Sequence, residues 1–195
     1  MREDSNRDSN RKTYELTIAG LKRELPIIPV NDRIAIASFV ILGDCELVTA
    51  CAPVLAARLP EFDYIVTAEA KGIPLVQELS RVLGHARYIV ARKSVKPYMK
   101  DPIVSKVVSI TTQKEQILCL DAKDAALLRN RRVAIVDDVI STGESLRAME
   151  ELLAKCGTRI VAKAALLAED KAAERDDIIF LERLPLFDVA TGKEI

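Results

Sequence analysis

Two adjacent carboxylates, Asp137 and Asp138, follow the apolar run Arg132-Val-Ala-Ile-Val136 and precede Val139-Ile140-Ser141-Thr142-Gly143-Glu144-Ser145. A short apolar run bounded by charge reads as a buried strand. Glu144 to Cys156, with Leu146, Met149, Leu152 and Leu153 on one face and Gly157 as its stop, reads as an amphipathic helix. The segment between them is therefore a strand-to-helix turn. Free backbone N–H groups at a helix start, with the macrodipole behind them, form an anion site. Gly143 lets the backbone approach an anion closely, and Ser141, Thr142 and Ser145 add hydroxyl donors. Two carboxylates would repel that anion, so they must face something else: vicinal sugar hydroxyls or a hydrated Mg²⁺. The stretch could thus hold a sugar phosphate at both ends. A plainer reading stands beside this one, because Ser141 and Glu144 also have the spacing of a capping box.

The elements that would position this segment alternate. Glu46–Leu59 reads as a helix distorted at Pro53, Tyr64–Ala68 as a strand, and Pro74–Leu83 as a helix stopped by Gly84. Arg87–Ala91 reads as a second strand and Asp121–Arg129 as a short helix capped by Asp121. After the acid-bearing strand come Arg159–Leu167 and Asp177–Leu181 as further strands. Strand and helix in alternation predict an α/β fold, a doubly wound and mostly parallel sheet. Such sheets bind ligands beyond the carboxyl ends of their strands. Two more polar turns fall there: Glu69-Ala70-Lys71-Gly72 after the first strand and Arg92-Lys93 after the second. Taken alone, the first is a polar turn and the second a solvated charge pair. Lys93 to Asp121 is a long stretch without helical period, holding Lys96, Pro97, Lys100, Pro102 and Lys106 and two β-like runs, Val107–Ile110 and Gln116–Leu120. Long loops in compact domains are functional or disordered.

Composition limits the function classes. The 195 residues carry 29 Lys plus Arg against 29 Asp plus Glu, a formal net charge of zero, which argues against a nucleic-acid coat or a membrane-surface protein. The longest apolar stretch, Ile34 to Leu42, is interrupted by Ser38 and is far short of the roughly 20 residues a bilayer requires. Four cysteines without C-x-x-C spacing and a single histidine, His85, offer no structural zinc site; the cysteines read as buried reduced thiols. The polar first eleven residues read as a mobile arm without a secretory apolar segment, and the cytoplasm is the expected location.

VAIVDDVISTGES resembles the phosphoribosyl-diphosphate (PRPP) binding motif of type I phosphoribosyltransferases. The resemblance implies that Asp137 and Asp138 hold the ribose 2′- and 3′-hydroxyls while Ile140, Ser141, Thr142, Gly143, Glu144 and Ser145 wrap the 5′-phosphate. Glu144 departs from the glycine common in adenine-specific members. Glu69-Ala70-Lys71-Gly72 is similar to the E-A-R-G pyrophosphate loop of adenine phosphoribosyltransferases, which implies backbone contacts to pyrophosphate and a non-proline cis peptide, expected at Ala70–Lys71. Arg92 and Lys93 match the family's Arg-Lys pair that neutralises the diphosphate, and with the two acids they form the expected catalytic set. The stretch containing Lys96 corresponds to a mobile β-hairpin that closes over the diphosphate, and KPYMKDPIVSKVVSITTQKEQ is similar to the xanthine branch.

The resemblance further implies a fold with a small hood, from about 22–44 and 169–187, over a core of 46–168, all within one domain spanning 12–195. Base contacts would come from the apolar Ile34, Ile36 and Val139, with Phe39 nearby; core packing is the alternative for these side chains. Ile34-Ala35-Ile36-Ala37 lacks the aromatic, arginine and aspartate of the adenine enzymes. Mg²⁺ would arrive with PRPP, touching at most Asp137 and Asp138, with no metal site built from protein alone. The function implied is transfer of phosphoribosyl from PRPP to a purine, adenine favoured and xanthine or hypoxanthine also open, by a homodimer whose partners are small molecules rather than nucleic acid or membrane. The alternative is a non-catalytic sensor of PRPP or nucleotides on the same fold.

Overall fold

The computed structural model describes residues 12–108 and 115–195, so the expected arm at 1–11 and the end of the Val107–Ile110 run lie outside the described residues. In chain order, β1 (Thr13–Ile18), β2 (Leu21–Pro29) and β3 (Ile34–Ala37) lead into α1 (Cys45–Ala56). Next come β4 (Tyr64–Ala68), α2 (Ile73–Leu83) and β5 (Ile89–Ala91). A hairpin follows, β6 (Ile103–Val108) with β7 (Glu115–Leu120), then α3 (Ala122–Leu128) and β8 (Arg132–Ile140). The chain finishes with α4 (Glu144–Lys155), β9 (Arg159–Glu169), a 3₁₀ turn at Asp170–Glu174, β10 (Ile179–Leu184) and β11 (Leu186–Asp188).

The central sheet has the order β10-β9-β8-β4-β5, with every neighbouring pair parallel. Alternation along β8 builds two cores. Ala134 and Val136 pack with Leu47 and Leu55 of α1 and Leu75 and Leu79 of α2. Val133 and Ile135 face the other way, against Leu128 of α3 and Leu146 and Leu152 of α4. Helices on both faces cover a sheet whose strands are apolar on both sides, which is the doubly wound arrangement the sequence predicts. The second sheet, β1-β2-β3-β11, packs on the α1–α2 side through Leu16, Ile18, Leu25 and Phe187. The last residues before the C-terminus return to it through β11, which pairs antiparallel with β3.

Local chemistry sets the helix ends. Asp44 caps α1, its side chain accepting from the Leu47 amide at 3.0 Å. The helix stops at Ala56 rather than at the expected Leu59, because its last turn tightens: the Arg58 amide reaches back three residues to the Leu55 carbonyl at 3.0 Å. Gly84 ends α2 at φ 71°, a conformation that costs a side-chain-bearing residue energy. Asp121 caps α3 as expected, its side chain accepting from the Lys123 amide.

Three sequence expectations need correction. The acid-bearing strand does not end at Val136; β8 continues to Ile140 because Asp137, Val139 and Ile140 stay paired to Ala165, Leu167 and Ala168 of the long neighbour β9. The first hairpin strand begins at Ile103, since its register runs from Ile103↔Leu120 onwards. The cysteines also divide: Cys51, Cys119 and Cys156 are buried, but Cys45 opens α1 and is exposed. Burial pushes the Cys51 thiol up to about 11. Since the thiolate is the reactive form, a thiol-exchange reagent at pH 8 is expected to titrate one thiol per native chain quickly and the other three only on unfolding. A Cys45→Ser variant is expected to lose the fast phase; fast reaction in that variant would contradict the burial pattern.

Candidate active site

Asp137 and Asp138 sit in the last turns of the β8 ladder, at the carboxyl end of the central sheet. Asp138 is 3% exposed. Its Oδ2 accepts no well-directed hydrogen bond, but the Lys71 Nζ lies 2.9 Å from it. Asp137 Oδ1 accepts from the Asp138 amide at 2.9 Å. Burial, and next the charge of Asp138, hold the Asp137 carboxyl above the ordinary carboxylate range; Lys71 works in the opposite direction.

Lys71 belongs to the loop Glu69-Ala70-Lys71-Gly72 between β4 and α2. The cis bond of this loop is Glu69–Ala70, one position before the one expected. The β4–β5 ladder ends at Ala68↔Ala91, with the Glu69 amide donating to the Ala91 carbonyl, so the reversal starts directly after Glu69. Gly72 is required by close approach: a Cβ there would lie 2.2 Å from Thr67 Oγ1 and 3.0 Å from Asp137 Oδ1. Its missing side chain lets the loop fold down onto the acid pair.

A cavity of about 450 Å³ opens over these groups, lined among others by Ala70, Lys71, Lys93, Asp137, Asp138 and Ser145. A second, narrower pocket lies along the turn from β8 to α4 and is lined by Ile140, Ser141, Thr142, Gly143 and Ser145; Asp137 and Val139 line both. Gly143, at φ 81°, is the N-cap of α4, and no side chain caps the helix. The capping-box alternative for Ser141 and Glu144 therefore fails: the N-cap is Gly143, so Glu144 is the first helical residue, two positions short of the third where a capping-box glutamate sits. The Glu144 amide donates to the Thr142 hydroxyl at 3.5 Å, and Ser141, Thr142, Gly143 and Ser145 line the pocket beside the start of α4.

Several expected site residues are placed otherwise. The Arg92 guanidinium is bound by the Glu69 carboxylate and donates to the Tyr98 hydroxyl at 3.0 Å, and Arg92 does not line the cavity. The Glu69 carboxylate also accepts from the Lys93 amide at 2.7 Å. Burial raises the Glu69 carboxyl, but the Lys93 amide and Arg92 outweigh it and hold the group below its usual range. Glu69 and Arg92 thus brace the two loops against each other. Lys96 donates to Ser94 Oγ at 2.6 Å and stays outside the cavity lining. Ile34 and Ile36 lie in β3 of the small sheet and line neither pocket, and Phe39 is buried in the α1–α2 core. Gly72 and Glu144 adjoin the site without lining it.

The sequence reading missed other members. Ala68 lines both pockets, and Ile117 and Leu118 of the hairpin line the larger. Ala68 could have been found as the last residue of a strand; Ile117 and Leu118 carry no local signal. Arg175 was also missed. Its Nε and Nη2 are held by Asp177 at 2.8 and 2.9 Å, and its Nη1 lies 3.1 Å from where a Gly143 Cβ would be.

An acid pair at the carboxyl end of a parallel strand, next to a helix start and a lysine-bearing loop, marks the candidate site of a doubly wound α/β protein. Comparison with known proteins narrows this. The model of the phosphoribosyl transferase domain matches residues 57–186. The chain belongs to the phosphoribosyltransferase family of enzymes. It is 31% identical over 152 residues to a xanthine phosphoribosyltransferase of Chloroflexus aurantiacus, covering 75% of this chain and 70% of that protein. It is 30% identical over 121 residues to an adenine phosphoribosyltransferase of Rhodospirillum rubrum, covering 60% of this chain and 63% of that one. In fold it is similar to the crystal structure of adenine phosphoribosyltransferase from Thermoanaerobacter pseudethanolicus, with a TM-score of 0.58 at 23% identity, covering 88% of this chain and 95% of that one. No helix among the described residues is long and apolar enough to cross a membrane.

The close approach at Gly72 can be checked directly. Gly72→Ala is expected to lower the melting temperature, and Thr67→Ala in the same chain to restore part of the loss by removing the 2.2 Å contact. Strictly additive losses in a double-mutant cycle would contradict that contact.

Proposed function

We propose that this enzyme transfers the 5-phosphoribosyl group of PRPP to a purine base, adenine ahead of xanthine and hypoxanthine, giving a nucleoside 5′-monophosphate and pyrophosphate. One observation carries the reading: the cavity of about 450 Å³ gathers Asp137, Asp138, Lys71, Lys93 and Ser145 beside the amino end of α4. The carboxylates supply acceptors for two vicinal hydroxyls. The β8–α4 turn supplies backbone and hydroxyl donors for a phosphate, and the Lys71 loop with Lys93 supplies donors and charge for a diphosphate. Relatives named for xanthine and for adenine support the purine class, and the similarity of Glu69-Ala70-Lys71-Gly72 to the adenine enzymes' loop supports adenine.

In this reading the C1′–O bond to the diphosphate breaks, the pyrophosphate leaves with the electron pair, and a ring nitrogen of the base forms the new bond to C1′, its proton passing to solvent. No side chain is assigned as base. The protein contributes position and charge. Asp137 and Asp138 fix the ribose so that C1′ faces the incoming base, and their negative charge favours the cationic character that develops on the sugar. Lys93, its amide anchored to Glu69, faces the leaving diphosphate. Val139, which lines both pockets, offers an apolar contact near the sugar. The small sheet β1-β2-β3-β11 is the hood, and the β6–β7 hairpin limits access of water to the sugar.

Mg²⁺ fits as a companion of the diphosphate. Among the described residues no group of three or more His, Cys, Asp or Glu side chains could hold a metal ion by themselves. The Asp137 and Asp138 carboxylates, both lining the cavity, are the oxygens a hydrated cation carried by the diphosphate would meet there. Bound there with PRPP, the ion would neutralise charge on the leaving group.

Calorimetry with Mg²⁺ present is expected to detect PRPP binding. Asp137→Asn together with Asp138→Asn is expected to weaken it about 100-fold, the size expected for two lost charge-assisted hydrogen bonds. A labelled-base assay is expected to convert adenine faster than hypoxanthine, guanine or xanthine. Undetectable PRPP binding, or binding with no transfer to any of the four bases, would overturn the reading.

A further inference from the structure

The Lys71 side chain has a place that a purely backbone role for its loop does not explain. Its ammonium reaches into the cavity and stops 2.9 Å from Asp138 Oδ2, a carboxylate oxygen that is buried and has no well-directed hydrogen bond. A buried carboxylate without a counter-charge is strongly destabilising. Asp138 is 3% exposed, whereas the Lys71 side chain is 46% exposed. The acid is thus fixed in the β8 ladder, and the base is free to leave toward solvent. The ammonium also answers more than one acid: its charge opposes the rise that burial imposes on Asp137, and likewise on Glu169 at the end of β9.

This arrangement sets up an exchange at one oxygen. While Lys71 Nζ stands at 2.9 Å, it competes with any other donor for Oδ2. If a ribose hydroxyl is to bind Asp138, the ammonium must move, and the other side of the same cavity, beside Lys93 and the loop amides, is where a diphosphate would receive it. Resting on the function proposed above, we propose that Lys71 is a positioning residue: its ammonium is an internal counter-ion that occupies the sugar subsite of the free enzyme, is displaced by the ribose, and swings to the diphosphate. The charge lost at Asp138 is replaced by sugar hydroxyls, and the ammonium gains a polyanion in exchange.

The exchange predicts unequal consequences for two ligands. Ribose 5-phosphate presents the sugar and the 5′-phosphate but gives the displaced ammonium nothing to bind. PRPP presents all three groups. Calorimetric titration of both into the wild-type chain, Lys71→Met and Lys71→Gln tests this without turnover, the ribose 5-phosphate titrations being run free of divalent metal. Removing the competing ammonium is expected to tighten ribose 5-phosphate about two- to fivefold, the scale of a partly exposed ion pair, with PRPP tightened less or weakened. Lys71→Gln keeps a donor for Asp138 and carries the test if thermal denaturation shows Lys71→Met unfolded. Unchanged or weaker ribose 5-phosphate binding in the folded variants, or equal tightening of both ligands, overturns the exchange while leaving the proposed function standing. A wild-type chain that binds neither ligand overturns the proposed function as well.

Discussion

Two carboxylates held side by side at the end of a buried strand are an electrostatic liability, and much of the site is arranged around that fact. Asp137 and Asp138 cannot separate, because both lie within the β8 ladder. They cannot escape to water, since Asp138 is buried and Asp137 is crowded by the Lys71–Gly72 loop. Low-dielectric surroundings magnify both their repulsion and any attraction offered to them. The protein answers locally with the Asp138 amide turned to Asp137 and the Lys71 ammonium set against Asp138. In the proposed reading, a ligand bearing hydroxyls, or a cation, relieves the same strain.

The parallel sheet brings the required groups together from distant parts of the chain. β4 ends in the Lys71 loop, β5 ends at Arg92 and Lys93, and β8 ends at the acids and the α4 turn. Because β8, β4 and β5 are neighbours in one parallel sheet, their carboxyl ends open on the same edge. Side-chain braces then fix the loops: Glu69 ties Arg92 and the Lys93 amide to its own loop, and Tyr98 holds the other end of Arg92. The arginine's charge is used structurally here, which leaves Lys93 as the cation of that pair that faces the cavity.

The sequence made the frame legible because hydrophobic period, caps and stops agree along most of the chain. Tyr64–Ala68 matches its strand residue for residue, and α2 ends at Gly84 as its αL stop requires. The acid pair and the following turn were legible as a chemical unit, since no simple capping scheme accounts for all of Asp137, Asp138, Ser141, Thr142, Gly143 and Ser145. Where β8 ends was not legible. Charged residues usually mark a strand's end, but pairing with a long neighbour overrides that local signal. The direction of each side chain was no more readable. Whether Arg92 faces a ligand or a neighbouring glutamate depends on how two loops meet, and that is a tertiary contact without a sequence signature. The role of Ile34 and Ile36 was equally unreadable: an apolar strand can wall a ligand or line a sheet, and in β3 it is Ala35 and Ala37 that turn into the core while Ile34 and Ile36 stay half-buried.

The turn from β8 to α4 is flanked by charge from outside and shaped by glycine within. Arg175 lies against Gly143 with two of its nitrogens clamped by Asp177; Asp177 also accepts from Lys163 at 2.5 Å, and Lys163 donates to Glu150 of α4 at 2.8 Å. The chain of contacts starts beside the turn, crosses the segment after the 3₁₀ turn and β9, and returns to the helix that the turn begins. A glycine at position 143 therefore satisfies two conditions together, a positive φ of 81° and room for a guanidinium 3.1 Å from its missing side chain. An alanine would be strained by the first and crowded by the second. The helix start is thus shaped at its backbone and bounded at its flank by groups already ordered among themselves, so in the proposed reading little further ordering is needed when a ligand arrives.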